Sequence, residues 1–257
     1  MEETIRPEIP KDKIIEVNNI HKIDFEKPFK FIYMDWWYEI IVQIPFLFAY
    51  ILVIFCAIFF GFRVKGRKNL KALRRQGCIT ISNHCHYFDT ILANYVVLPR
   101  ALHTAVAQRN FEVPYARRVL RTLRAFPIPA NGRGLKMISN AVGEALKKKH
   151  HIHFLPEGDL VMYSQTIYRF KPGAFILAYQ HQAPILPMVY RIRRRKLFGK
   201  EMGPAWVKMT MEVGEPIFPE KIPEGKEASK EQIDAMANKA ASFMEKAIAD
   251  YHNGISK

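Results

Sequence analysis

Cysteine is scarce in this chain: three residues in 257. Cys56, Cys78 and Cys85 sit in apolar or motif surroundings with no pairing pattern. That excludes a disulfide framework and implies a reducing compartment. A secretory leader is also lacking, because the first thirty residues are charged and carry no apolar core segment. There is no internal repeat and no low-complexity segment. No G-x-S-x-G elbow occurs, so a serine nucleophile of the hydrolase kind is not indicated. Acidic residues are few: 24 Asp and Glu stand against 39 Lys and Arg, a formal net charge of +15. Such a chain favours anionic partners: a phospholipid surface, phosphorylated substrates, an acidic carrier protein or nucleic acid. Nucleic acid is the weakest of these, because the charge lacks interleaved aromatics and no recognised binding module is present.

What is present is apolar enough, at 49%, for one sizeable core. Charge is missing altogether from Ile44 to Phe62. This run approaches the roughly 20 residues that a helix needs to cross a bilayer. Tyr33, Trp36, Trp37 and Tyr38 precede it as an interfacial aromatic belt would, and Arg63, Lys65, Arg67, Lys68, Lys71, Arg74 and Arg75 follow. The expectation is a membrane-associated helical segment over about residues 31–62, with the rest of the chain facing the cytoplasm. A buried core helix and a monotopic helix pair broken at Pro45 are the alternatives. Residues 1–62 form the N-terminal region in this division, and 63–257 the domain that carries the chemistry.

Beyond the basic linker, short apolar runs alternate with helical patterns. Cys78–Ser82, Ala105–Ala107, Ala125–Pro129, His151–Leu155, Ile185–Tyr190 and Val207–Val213 read as strands. Asp89–Val97, Phe111–Leu123, Leu135–Leu146 and Pro172–His181 read as helices, and Ser229 with Gln232 forms a capping box that opens a last helix to about Tyr251. The apolar stripe of that last helix is expected to pack on the domain. The fold class expected is α/β: a mixed, mostly parallel sheet layered by helices, preceded by a membrane helix or helix pair.

Two polar clusters each follow a strand: Asn83-His84-Cys85-His86-Tyr87-Phe88-Asp89, and Phe154-Leu155-Pro156-Glu157-Gly158. A histidine held by a carboxylate is the simplest protein base able to activate a hydroxyl near neutral pH. On one continuous helix, His84 and Asp89 would diverge by about 140 degrees. They meet if His84 ends a strand, residues 85 to 88 turn, and Asp89 opens the next helix. Other readings stay open here. Asp89 could be a helix cap near an unrelated histidine, and Glu157-Gly158 an ordinary turn. His84, His86 and Asp89 could hold a metal, although no second ligand cluster supports it. His150, His151 and His153 follow a lysine run and are expected to face solvent. Cys85 could be a nucleophile with a neighbouring histidine as its base. The basic stretch Arg191–Phe198 is either a solvated hairpin tip or a contact for anionic head groups or an acidic carrier, with Leu197 and Phe198 dipping into the interface.

The ordered set resembles the glycerolipid acyltransferase family typified by 1-acyl-glycerol-3-phosphate acyltransferases. His84-x4-Asp89 and Phe154-Leu155-Pro156-Glu157-Gly158 carry the resemblance. Gly66–Leu70, Ala125–Ile128, Phe170–Ala174 and Ala183–Pro187 extend it, over about residues 63–220. The resemblance implies that His84 takes the proton of an acceptor hydroxyl, which attacks an acyl thioester directly, while Asp89 orients the imidazole. Glu157 and Gly158 would shape the acceptor side. Acyl-CoA or an acyl-carrier-protein thioester would be the donor, a lysophospholipid the acceptor, with no bound cofactor or metal.

Two positions depart from the family pattern. Ala130 and Leu160 stand where arginines thought to bind the acceptor phosphate are usual. Arg133, Arg109, Arg169 or Lys171 could supply that charge instead. The expected function is transfer of a fatty acyl group to 1-acylglycerol 3-phosphate at a phospholipid membrane. The rivals are transfer to another lysolipid or amine acceptor, and a basic membrane-binding protein without catalysis.

Overall fold

The computed structural model describes residues 6–13, 22–25, 27–59, 61–113, 115–130, 133–198, 200–201, 207–223 and 225–254. The apolar runs become the strands of one sheet: β1 (Arg63–Lys65), β2 (Ile79–Ser82), β3 (Leu102–Ala107), β4 (Ala125–Ile128), β5 (His151–Phe154), β6 (Ile185–Arg194) and, after a small hairpin of β7 (Lys196–Leu197) and β8 (Lys200–Glu201), β9 (Val207–Val213). Among the described residues the order across the main sheet is β1-β9-β6-β2-β5-β3-β4. From β6 to β4 every neighbouring pair is parallel, whereas β9 runs antiparallel to β6 and parallel to β1. The mixed, mostly parallel sheet of the expected fold class is therefore what forms.

Central strands read as continuous apolar runs because both faces are covered. Ile185 and Val189 of β6 join one core, and Leu186, Met188 and Tyr190 join the other. The helices α5 (Gly134–Lys147), α6 (Gly173–Gln180) and α7 (Lys230–His252) pack on the first face through Val142, Phe175 and Met244. On the second face lie α1 (Trp36–Phe59) and α2 (Asp89–Val97), through Val53, Leu92 and Val96. Phe31 and Ile32, just before α1, are buried in the first core. The helix expected over Phe111–Leu123 is divided into α3 (Gln108–Phe111) and α4 (Ala116–Thr122), with Tyr115 at φ 65 between them. A positive φ in a bulky residue ends helical geometry at that point.

The expectation of a membrane-crossing helix is corrected. Among the described residues no helix is long and apolar enough to cross a membrane. Nor does Pro45 break the segment into a pair, since α1 continues through it. One side of α1 is committed to the protein: Tyr38, Val42 and Val53 are buried, and Tyr38 Oη donates to the Arg121 carbonyl. These contacts pack α1 against the domain between Tyr38 and Val53. The opposite side stays uncovered, and Trp37, Ile40, Ile44, Phe48, Ile51, Phe55 and Phe59 are all exposed at helical spacing.

The capping box at the start of α7 forms as expected. The Ser229 hydroxyl accepts from Gln232 N, and the Gln232 side chain accepts from Ser229 N. Replacing Ser229 by alanine leaves that amide without its cap. The expected cost is about 1 kcal/mol, read as a lower midpoint in urea unfolding with an unchanged slope.

Candidate active site

β2 lies between β5 and β6, with Ile81 opposite Phe154 and Ser82 opposite Met188. Both polar clusters therefore leave the same carboxyl end of neighbouring strands, where open α/β sheets form their crevices. The chain turns after His84, and Asp89 opens α2. His84 Nδ1 and Asp89 Oδ2 are 3.0 Å apart. The same oxygen accepts the backbone N–H of Cys85 at 2.8 Å and of His86 at 2.9 Å. Asp89 is fully buried and the His84 side chain is 21% exposed. With Nδ1–H donated to a carboxylate, the ring holds its lone pair on Nε2. Nε2 has no hydrogen-bond partner among the described residues.

Glu157 comes to this loop from β5. Its Oε2 accepts His84 N at 3.0 Å and its Oε1 accepts Tyr168 N at 3.1 Å. The glutamate thus ties the base's own peptide to the loop that follows β5. Gly158 beside it adopts φ +93, and a Cβ there would run into the Lys171 side chain. The left-handed backbone at this position favours glycine.

Two amides with no sequence-assigned role complete the scaffold. Asn83 Oδ1 accepts Tyr190 N at 2.8 Å and its Nδ2 donates to Tyr190 O at 3.1 Å, so the side chain extends the β2–β6 ladder. Gln165 Oε1 accepts Ile192 N at 2.7 Å. The polar residue directly before the histidine was visible in sequence, but its partner 107 residues away was not.

Burial sets the titration of the surrounding groups. It pushes Glu157 up to about 7, although the two N–H bonds oppose the shift. Burial, and then the Asp89 and Glu157 charges, hold the Cys85 thiol well above its ordinary range. A thiol kept protonated in this way is unsuited to be a nucleophile. His151 and His153 do not face solvent as expected. Both are buried on β5, where neighbouring strands and both helical layers leave no exposed face. His153 lies 2.9 Å from Thr80 Oγ1, and burial takes its pKa down to about 3. Among the described residues no group of three or more His, Cys, Asp or Glu is arranged to hold a metal ion.

The four cations named from sequence do not form one cluster. Arg109 pairs with Asp159, the residue directly after Gly158. Lys171 and Arg169 line a cleft of about 810 Å³ together with Glu157, Asp159, Phe170 and residues of α7. Arg169 also meets Glu8 at 3.3 Å. Arg133 is exposed at the start of α5 and does not line this cleft. The cleft and the His84 loop thus share Glu157, and two of the four cations stand on the cleft wall.

The acyltransferase family model matches residues 61–191. The chain belongs to the acyltransferase family. The enzyme is 24% identical over 159 residues to the 1-acyl-sn-glycerol-3-phosphate acyltransferase of Bacillus subtilis (strain 168), covering 61% of this chain and 74% of that one. Among solved structures it is similar to the 1-acyl-sn-glycerophosphate (LPA) acyltransferase PlsC of Thermotoga maritima. There the TM-score is 0.49 and the identity 20%, with 72% of this chain and 71% of that chain covered. His84, Asp89, Glu157 and Gly158 all fall within the matched residues.

Glu157 yields a pH signature. Its carboxyl holds a proton in the folded chain up to about 7, whereas the unfolded chain releases it near its ordinary 4.5. Folding stability from this group is full below the lower value and declines as pH rises through the upper one. Glu157→Gln cannot titrate. The difference in Tm between wild type and this variant is expected to move in the variant's favour from pH 4.5 to pH 7. A difference constant across that window would show that Glu157 titrates as an ordinary carboxylate.

Proposed function

We propose that the enzyme moves a fatty acyl group from an acyl-CoA or acyl-carrier-protein thioester to the hydroxyl of a lysophospholipid, giving phosphatidic acid from 1-acylglycerol 3-phosphate. One observation carries the reading: His84 is fixed through Nδ1 by a buried Asp89, with Nε2 unpartnered at the open end of the sheet. Nε2 takes the acceptor's hydroxyl proton as its oxygen attacks the thioester carbonyl. The new C–O bond forms, the C–S bond breaks, and the proton passes from the imidazolium to the departing thiolate. Asp89 stabilises the imidazolium in between. No acyl-enzyme is required. Lys171 and Arg169 are the cations best placed to meet an acceptor phosphate, since both line the cleft at Glu157.

A second reading has specific support. Ala130 and Leu160 stand at the usual arginine positions, and Arg109 is engaged by Asp159. In that reading the acceptor is another lysolipid or an amine. The deciding experiment supplies labelled acyl-CoA and acyl carrier protein to purified enzyme with lysophosphatidate, other lysolipids and amines. Preference for lysophosphatidate supports the first reading, and indifference to the acceptor's phosphate the second. His84→Ala is expected to slow transfer by about 10²- to 10⁴-fold with an unchanged circular dichroism spectrum. Full activity in that variant would remove His84 from the mechanism.

The acceptor is a membrane amphiphile, and α1 supplies a surface to meet it. Its exposed stripe from Trp37 to Phe59 would lie in the interface while the opposite side holds the domain. The basic residues after α1 favour the cytoplasmic leaflet. Phe48→Asp with Phe55→Asp places charge only on the outward side, so folding is preserved. The pair is expected to abolish flotation with phosphatidylcholine vesicles. Flotation at the wild-type level would exclude α1 as the anchor.

A further inference from the structure

The hairpin of β7 and β8 stands apart from the catalytic groups. β6 continues from Val189 to Arg194 beyond the last residue it pairs with β2. That is about 20 Å of strand beyond Ser82, on the same end of the sheet as His84. The stem is rigidly based. Arg191 and Arg193 lie over the Tyr251 ring at 4.8 and 4.6 Å, and Arg193 also donates to the Tyr251 carbonyl, which fixes the end of α7 beneath it.

Phe198 at the tip is 97% exposed and adopts φ 48. A tight turn needing positive φ ordinarily takes glycine, asparagine or aspartate. A bulky aromatic there is unfavourable twice, once for its backbone and once for its unburied ring. Leu197 beside it is also exposed. Costs of this kind persist where something outside the chain rewards them.

Charge is the second observation. A cleft of about 730 Å³ adjoins the hairpin, and its described lining includes Arg193, Arg194, Lys196 and His252. Its far wall is Tyr163 and Gln165. Tyr163 N donates to the Cys85 carbonyl at 2.8 Å, so that wall is joined to the base's loop. Position is the third. A methyl group on Gly61 would lie 3.4 Å from Arg195 Nη2 and 3.6 Å from Lys208 Cγ. Gly61 is two residues beyond Phe59, where the exposed stripe of α1 ends. The apolar stripe and the cationic hairpin therefore adjoin.

We propose that this cleft and its tip form an anionic phospholipid site: the head-group phosphate sits among Arg194, Lys196 and Arg193, and Leu197 and Phe198 enter the acyl region. The inference rests on the membrane docking of α1 and adds lipid selectivity to it. Apolar insertion holds the protein to any bilayer, and clustered basic residues add preference for negative surface charge. The contact also keeps the catalytic end of the sheet turned toward the leaflet that supplies the acceptor.

The test uses the full chain and co-sedimentation with vesicles of phosphatidylcholine alone and of phosphatidylcholine with phosphatidylglycerol. Wild type is expected to bind the anionic vesicles more tightly, with the advantage fading at high salt. Arg194→Gln with Lys196→Gln is expected to lower affinity for anionic vesicles by about fivefold per residue and to leave binding to phosphatidylcholine unchanged. Phe198→Ser is expected to weaken binding to both. Urea unfolding of each variant checks that the fold is kept. Equal wild-type affinity for the two vesicle types, or an undiminished preference in the double variant, overturns the inference while α1 docking stands. Release of the protein from anionic vesicles by inorganic phosphate or acyl-CoA at matched ionic strength also overturns it, in favour of a soluble phosphate ligand. Binding to neither vesicle type would instead sink the membrane docking itself.

Discussion

Asp89 Oδ2 gathers three donors at the bottom of the catalytic loop: the His84 imidazole and the backbone N–H groups of Cys85 and His86. A buried carboxylate without such donors would be costly to ionise. With them, one oxygen sets the turn after β2 and the orientation of the base together. Its place in the first turn of α2 adds the positive end of the helix dipole. The loop cannot relax without freeing the histidine, and the histidine cannot rotate without exposing the loop's amides to a buried space. The orientation of His84 and the folding of its loop are therefore one constraint.

Glu157 applies the same logic from the next strand. Its carboxylate spans the amides of His84 and Tyr168, which links the base to the segment that walls both clefts. Asn83 and Gln165 act likewise toward β6. The region around the base is thus held by side chains that imitate strand hydrogen bonds where the strands themselves have ended. Such preorganisation keeps a base in position without a reorganisation cost at the moment of reaction. It also explains a carboxyl held near neutrality: Glu157 is deep enough for burial to compete with its two donors.

The two sides of α1 are unlike. One side is part of the core, and the other continues to a basic hairpin whose tip is apolar. A helix lying along the domain keeps its inward face available for packing.

Periodicity and turn chemistry made most of the elements legible. β2, β5, β9 and α7 lie within a residue or two of where their apolar patterns and the Ser229 capping box put them. The His84-x4-Asp89 turn was legible as one of two open readings, since a strand-turn-helix lets those side chains meet. The burial of His151 and His153 was not, because a polar residue in a central strand looks like a surface residue until the sheet order is known. Nor was the clamp formed by Glu157, which depends on β2 and β5 being neighbours across 73 residues. The flat lie of α1 has the same cause. Its hydrophobicity was plain, but whether it crosses a bilayer or covers a sheet depends on what its inner face touches. Sequence by itself determined most of the local elements, the pairing of His84 with Asp89 as one of its readings, and the excess of basic charge. Only the tertiary structure decided which side chains hold the His84 loop and which side of α1 is buried, because both arise from contacts between segments far apart in the chain.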